Sequence, residues 1–303
     1  MSEETCVRPV QPGDIDTIIR MVRAQEFARE QSAENLRRLF EYSWTAEKPN
    51  LGLVVSSGSR VVGYLGAIYS DRVIGGQTHH VCNMCVWYVE PEFRGWSLRL
   101  PLSLISLKGY TFTNLTVPAR HTSLFEKMGF EAISRRLVVF RLGLQIHRLL
   151  RRSPEVLEDP DQIEPILSGE HLRIFRDHLP YDCSHYLVRD ADDYCYAVTK
   201  RRSIRRSVIL GDWPLERVRA DYFPRSDILF LSNPEIAVRH WDSLKWAMLR
   251  RDRAIAVTGE ECILGPVASL GKLAIPHPVY VYRRGVQSFP TDALYSELVL
   301  LPI

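Results

Sequence analysis

The residues of this 303-residue chain best suited to chemistry fall in three places. The run VEPEFRGWSLRL, residues 89–100, sets Arg94 and Gly95 after a strand-like segment and before an apolar helical pattern of Leu98, Leu102 and Ile105. A strand that empties through such a turn into a helix start gathers free backbone N–H groups and the positive end of a helix dipole at one point, which is the geometry of a pyrophosphate site. Just upstream, alternation over residues 79–89 puts Asn83, Cys85 and Trp87 on one strand face. His79 and His80 open that strand and read as exposed turn residues able to titrate near neutrality. Further on, His121 stands where a helix should begin. Cys82 and Cys85 form the one C-x-x-C among six cysteines, but on a strand they point to opposite faces. No metal site or disulfide is expected there, and the thiols read as buried and reduced.

The elements around these residues follow from pattern. A short strand at 6–10 leads through Pro12 and Gly13 to Asp14, a cap for a helix with Ile15, Ile18, Ile19 and Val22 on one face. Two β-rich runs at 51–55 and 61–69, split by Ser57, Gly58 and Ser59, read as a hairpin, and Gly75 and Gly76 turn the chain into the 79–89 strand. Pro91 stops that strand. A fifth strand at 110–117, a helix at 123–128 closed by Gly129, and a strand from Phe130 to Leu142 complete the first half.

This order resembles the GCN5-related N-acetyltransferase superfamily. Its marker R/Q-x-x-G-x-G/A, placed after the fourth strand, is matched by VEPEFRGWSLRL, and its later signature of a Tyr followed by Glu-Lys-x-Gly-Phe by LFEKMGFE, residues 124–131. The resemblance implies an α/β (α+β) fold with a mixed central sheet flanked by helices. It also implies an acyl-CoA-dependent N-acyltransferase, an acetyltransferase first, with acetyl-CoA or another acyl-CoA as cosubstrate and a small-molecule or peptide amine as acceptor. CoA contacts then fall on Val89, Arg94, Gly95, Trp96, Ser97, Leu98 and Arg99. Two departures stand out: Ser97 and Arg99 occupy the family's small positions, and Pro101 follows close behind. Where several members carry a basic Glu, this chain has Asn83, which can orient a water. The usual acidic Tyr is Phe125, and the Asn that often precedes it is Pro118. Asn83, Cys85 and His121 are the remaining polar candidates for catalysis.

The second half gives helix over 162–179, strands at 185–188, 194–199 and 205–210, a helix at 215–222, a strand at 228–232, a helix opened by Asn233 and Pro234 that runs to Arg251, and strands at 254–258 and 279–283. That order again matches the family. The expectation is two tandem domains, 1–145 binding acyl-CoA and 146–303 degenerate, because the second copy's turn, Gly211 to Pro214, carries Asp212, which repels a pyrophosphate. A degenerate copy suits walling an acceptor cleft or forming a homodimer.

Composition bounds the rest: 46% hydrophobic and 25% charged residues describe a soluble globular chain of about two domains, and a net charge of +3 counts against a dedicated nucleic-acid binder. The polar start MSEETCVRPVQPGD and the lack of an apolar run of about 20 residues point to the cytoplasm, with no membrane span. Two other readings compete. Paired domains of this kind also move aminoacyl groups from tRNA, for which KRRSIRR, residues 200–206, offers a basic run. A non-catalytic acyl-CoA-binding module is the other.

Overall fold

The β-rich runs of the expected hairpin pair antiparallel and are buried along their length. In this computed structural model, residues 4–45, 47–74, 76–141, 155–205, 222–271, 273–282 and 292–302 are described. The strands are β1 (Thr5–Pro9), β2 (Leu53–Ser57), β3 (Arg60–Ile74), β4 (Gln77–Val89), β5 (Tyr110–Asn114), β6 (Glu131–Arg141), β7 (Val156–Leu157), β8 (Ser184–Asp190), β9 (Asp193–Arg205), β10 (Tyr222–Leu231), β11 (Ala256–Glu260) and β12 (Leu273–Tyr282). The helices are α1 (Ile15–Arg23), α2 (Ala33–Glu41), α3 (Arg99–Ile105), α4 (Thr122–Lys127), α5 (Pro160–Ile163), α6 (Gly169–His178), α7 (Pro234–Arg239), α8 (Trp241–Arg251), α9 (Glu261–Leu264) and α10 (Glu297–Leu300). No helix among the described residues is long and apolar enough to cross a membrane.

The chain divides into two units. The first holds Met1–Ile133, Pro278–Pro290 and Tyr295–Pro302, and the second holds Ser134–His277 with Thr291–Leu294 and Ile303. The division therefore falls inside β6, whereas residues 142–154, where sequence placed the boundary, lie outside the described residues. The end of β12 and the segment after Thr291–Leu294 return to the first unit, although sequence assigned all of 146–303 to the second.

In the first unit β1 to β4 pair antiparallel, β5 joins β4 in parallel, and Tyr280–Tyr282 of β12 pairs antiparallel with β5. Helix α1 buries Ile18, Ile19 and Val22, as its spacing predicts. Asp14 does not cap it; the carboxylate instead accepts from Arg8 at 2.6 Å and from the Gln11 N–H at 2.8 Å. Helix α2 is capped by Ser32, whose hydroxyl accepts the Asn35 N–H at 3.0 Å. On α3 the apolar stripe differs from expectation: Leu100, Pro101, Leu104 and Ile105 are buried, while Leu98 and Leu102 are 43% and 49% exposed. The segment Pro91–Trp96 winds as a 3₁₀ turn, whose three residues per turn shift the phase of the helix that follows. Pro101 falls in the first turn of α3, where a missing N–H loses no helical bond.

The second unit orders its strands β6-β11-β10-β9-β8-β7, with β10 and β11 parallel and the other pairs antiparallel. β9 covers the strand expected at 194–199 and runs on to Arg205; residues 206–221, with nearly all of the strand expected at 205–210, the Gly211–Pro214 turn and most of the helix expected at 215–222, lie outside the described residues. The helix expected over 162–179 breaks into α5, a 3₁₀ turn and α6, and that expected over 234–251 breaks at His240. β10, which pairs in parallel with β11, leads through Ser232-Asn233-Pro234 into α7; residues 211–214 lie outside the described residues.

Candidate active site

The site begins where a parallel pair stops. β4 and β5 are in register from His80 with Tyr110 to Asn83 with Thr113; β5 then ends at Asn114 while β4 continues to Val89. From Met84 onward the edge of β4 that faces β5 has no strand partner among the described residues. On its other edge the register with β3 slips: Tyr64 faces Tyr88 and Gly66 faces Cys85, so Val86 and Trp87 share one opposite residue. Val86 sits at φ 48°, a conformation strained for a β-branched residue and of the kind that collects at functional sites.

The bulge overturns the expected face. Asn83 and Cys85 do share a side, and Tyr88 joins them through the partners Ile68, Gly66 and Tyr64. Trp87 is turned to the opposite side, where its ring meets Phe125 of α4 and packs against the core cluster that includes Met84, Cys82 and the buried residues of α3. A single inserted residue reverses a period of two.

On the Asn83 side stands a residue that the sequence reading missed. Glu297 is 3% exposed; it accepts from Asn83 Nδ2 and, at 2.8 Å, from Thr116 Oγ1, while Thr113 Oγ1 donates to Asn83 Oδ1 at 3.1 Å. The chain delivers it through a tight fixture. Tyr295 adopts φ 54°, its ring meets Trp44 edge-on at 5.2 Å and lies 4.8 Å from the Arg72 guanidinium, Ser296 Oγ caps α10 by accepting the Leu298 N–H at 3.2 Å, and Gln31 Nε2 donates to the Pro302 carbonyl at 3.1 Å. Burial first, and then the charge of Glu297, push the Cys85 thiol well up, so it stays protonated and is no nucleophile. Cys82 is likewise raised by burial.

His121 lies apart from this network. It takes the N-cap position of α4, and its Nε2 accepts from Arg120 Nε at 3.1 Å. Of the residues expected to meet CoA, Val89 is core and lies against Gly63. Arg94, Gly95, Leu98 and Arg99 are exposed, Trp96 and Ser97 half-buried, and the Arg99 guanidinium stacks 4.1 Å over the Trp96 ring. The turn is not a glycine cradle. Its backbone is helical, the N–H groups of Phe93, Ser97 and Leu100 donate to carbonyls of the same turn, and a Cβ on Gly95 would meet nothing within 4 Å. What it presents to an anion is two guanidiniums, beside a groove of about 580 Å³ that Trp96 and Arg99 line with Thr5–Val7 of β1.

Solved structures share this fold. No protein-family model matches the chain, and no curated protein does. A GCN5-related N-acetyltransferase from Anabaena variabilis ATCC 29413 superposes with a TM-score of 0.57 at 13% identity, over 92% of this chain and 72% of that one. One from Kribbella flavida gives 0.55 at 15%, over 92% and 71%, and a putative acetyltransferase from Pyrococcus horikoshii 0.54 at 12%, over 98% and 94%. The fold is that of the GCN5-related N-acetyltransferases. At 12–15% identity the likeness is one of fold.

Proposed function

We propose that the chain is an acyl-CoA-dependent N-acyltransferase that works in the gap between β4 and β5, with Glu297 as general base. The observation that carries this reading is a buried carboxylate, held by an amide and a hydroxyl, at the mouth of a splayed parallel pair. The acceptor amine, of a small molecule or a peptide, enters from the Asn83 side and gives a proton to Glu297, which Asn83 and Thr116 orient. The nitrogen attacks the thioester carbonyl, and unpartnered N–H groups along β4 beyond Asn83 face the developing oxyanion. The C–S bond breaks and the thiolate leaves. Arg94 and Arg99 hold the diphosphate as charges rather than as a backbone cradle. Cys85 serves as packing and His121 lies outside the reaction. An acetyl group is the simplest acyl group for this gap. Six free cysteines suit a reducing, cytoplasmic setting.

The second unit we read as a second copy of the fold without a CoA site. Ser232 and Asn233 are occupied by the protein: Ser232 Oγ accepts the Tyr196 N–H at 2.8 Å, Asn233 Oδ1 caps α7, and Glu235 adds a negative charge to its first turn. In the run 200–206 Lys200 is buried and Arg202 faces Asp227 at 3.5 Å, an arrangement that favours a structural role over a basic groove for RNA.

Calorimetry with acetyl-CoA and longer acyl-CoAs, followed by thiol release over a panel of amines, tests the reading. Binding and release are expected, and Arg94→Ala or Arg99→Ala should weaken acyl-CoA about 10-fold, the loss of one charged contact. No binding, with both variants silent, overturns it; binding without thiol release for any amine turns it into the binding-module reading.

A further inference from the structure

The bulge at Val86 leaves a second feature that the base does not explain. Trp87 Nε1 is closed off from solvent and meets no acceptor among the described residues, a condition that is uncommon in native proteins and calls for an explanation such as a catalytic role. Its neighbours are rings. The indole lies edge-on to Phe125 at 6.2 Å, and Phe125 in turn contacts Phe130 and Tyr280, rings that offer it nothing polar. Tyr280 Oη is engaged with Glu126 Oε1 at 3.3 Å. The Cys82 thiol belongs to the same apolar cluster. This is also the face from which an acyl donor must come, because the turn with Arg94 and Arg99 runs directly into α3, whose buried side packs on Met84 and Cys82.

We propose that the Trp87 indole N–H donates a hydrogen bond to the sulfur of the acyl thioester and holds the thiolate as it departs. The inference rests on the acyl-transfer reading and completes it. The N–C bond forms as the C–S bond breaks, the electron pair of the latter passes to sulfur, and the amine proton goes to Glu297. The indole keeps its own proton, since it acts as donor and not as acid, and the released thiolate takes one from water. Phe125 can then be apolar, because the hydrogen bond to the leaving group comes from β4 rather than from α4.

Trp87→Phe keeps the ring and removes the N–H. It should lower kcat with acetyl-CoA about 10-fold and leave the acyl-CoA Kd within about twofold, less than the roughly 10²–10³-fold cost of a lost oxyanion donor because a thiolate is a tolerable leaving group. The deficit should shrink when the donor is an acetyl thioester of a more acidic thiol, such as thionitrobenzoate, whose departing sulfur needs less support; a packing defect would cost the same with either donor. In the wild-type protein the Trp87 indole ¹H–¹⁵N resonance should move downfield when acetyl-CoA is added. An active wild type whose Trp87→Phe variant shows unchanged kcat, or a deficit independent of the thiol, overturns the proposal and leaves the acyl-transfer reading standing. A chain that binds acyl-CoA with the Trp87 resonance unmoved also overturns it. A chain that binds no acyl-CoA overturns both.

Discussion

In the first unit the last rung between β4 and β5 is Asn83 with Thr113; in the second, Asp227 with Thr258 stands one rung before the last between β10 and β11. Both threonine hydroxyls donate across the rung, and both outer strands slip register just beyond it, at Val86 and between Ile228 and Phe230. The carboxylates differ. Glu297 reaches the first gap from far along the chain and is held there by an amide and a hydroxyl. Asp227 is part of its strand and lies 2.8 Å from Arg225 and 3.5 Å from Arg202. Burial pulls the Asp227 carboxyl upward, but the two guanidiniums and Thr258 together outweigh it and hold it below the usual carboxylate range. A carboxylate stabilised that way is a poor proton acceptor at neutral pH. On the proposed reading, the carboxylate beside the first rung is a base because neutral groups hold it, whereas that of the second rung is a structural ion pair held by guanidiniums.

The largest way to break this contrast is Glu297→Gln. An amide keeps the shape but accepts no proton, so turnover should fall by about 10²–10³-fold, within the range for a lost general base. The acyl-CoA Kd should stay within about twofold, since Glu297 lies on the acceptor side. Steady-state rates beside calorimetry check this; an undiminished rate would place Glu297 among structural carboxylates like Asp227.

Asp227→Asn should act on stability instead. It leaves Arg225 and Arg202 facing a neutral amide in a buried setting, at a cost of about 3–5 kcal/mol in unfolding free energy, while the folded fraction turns over at the wild-type rate. The pH dependence has a definite sign. A carboxyl whose folded pKa lies below its unfolded value contributes stability that is present above roughly pH 4 and is lost as pH falls through the lower, folded value. The gap between wild type and variant in urea titrations should therefore narrow below about pH 4 and stay constant above it.

How much of this was legible beforehand differs between the two carboxylates. Asn83 was placed by alternation on a strand that Pro91 had to stop, and the turn around Arg94 by the switch from period 2 to a helical period. Glu297 was not, because its partner Asn83 is 214 positions away and no local pattern encodes such a contact. One signal was available: DALYSELVLL is apolar enough to be buried, and a lone Glu in a buried run demands a partner. The face of Trp87 was misread because the bulge is set by pairing with β3, and nothing in the sequence of β4 marks the extra residue. The turn expected at Gly211–Pro214 lies outside the described residues, and β9, 13 residues long, exceeds the hairpin arm that the basic run at 200–206 suggests.

The smallest expected effect concerns the turn itself, where Arg94 and Arg99 stand in the first unit and Glu235 in the second. If the first turn bound diphosphate through a glycine-lined cradle, a methyl group at Gly95 would block it. Gly95 has no positive φ, a Cβ there meets nothing within 4 Å, and the neighbouring N–H groups of Phe93 and Ser97 already donate within the turn. Gly95→Ala should therefore change the acyl-CoA Kd by less than about twofold and raise stability by roughly 0.4–1 kcal/mol through the unfolded chain. Calorimetry and thermal unfolding of the same preparation measure both. A loss of affinity as large as that of Arg94→Ala would mean that the backbone of the turn rewinds around the ligand, and the contrast with Ser232-Asn233-Pro234 would then be one of conformational freedom, not of charge.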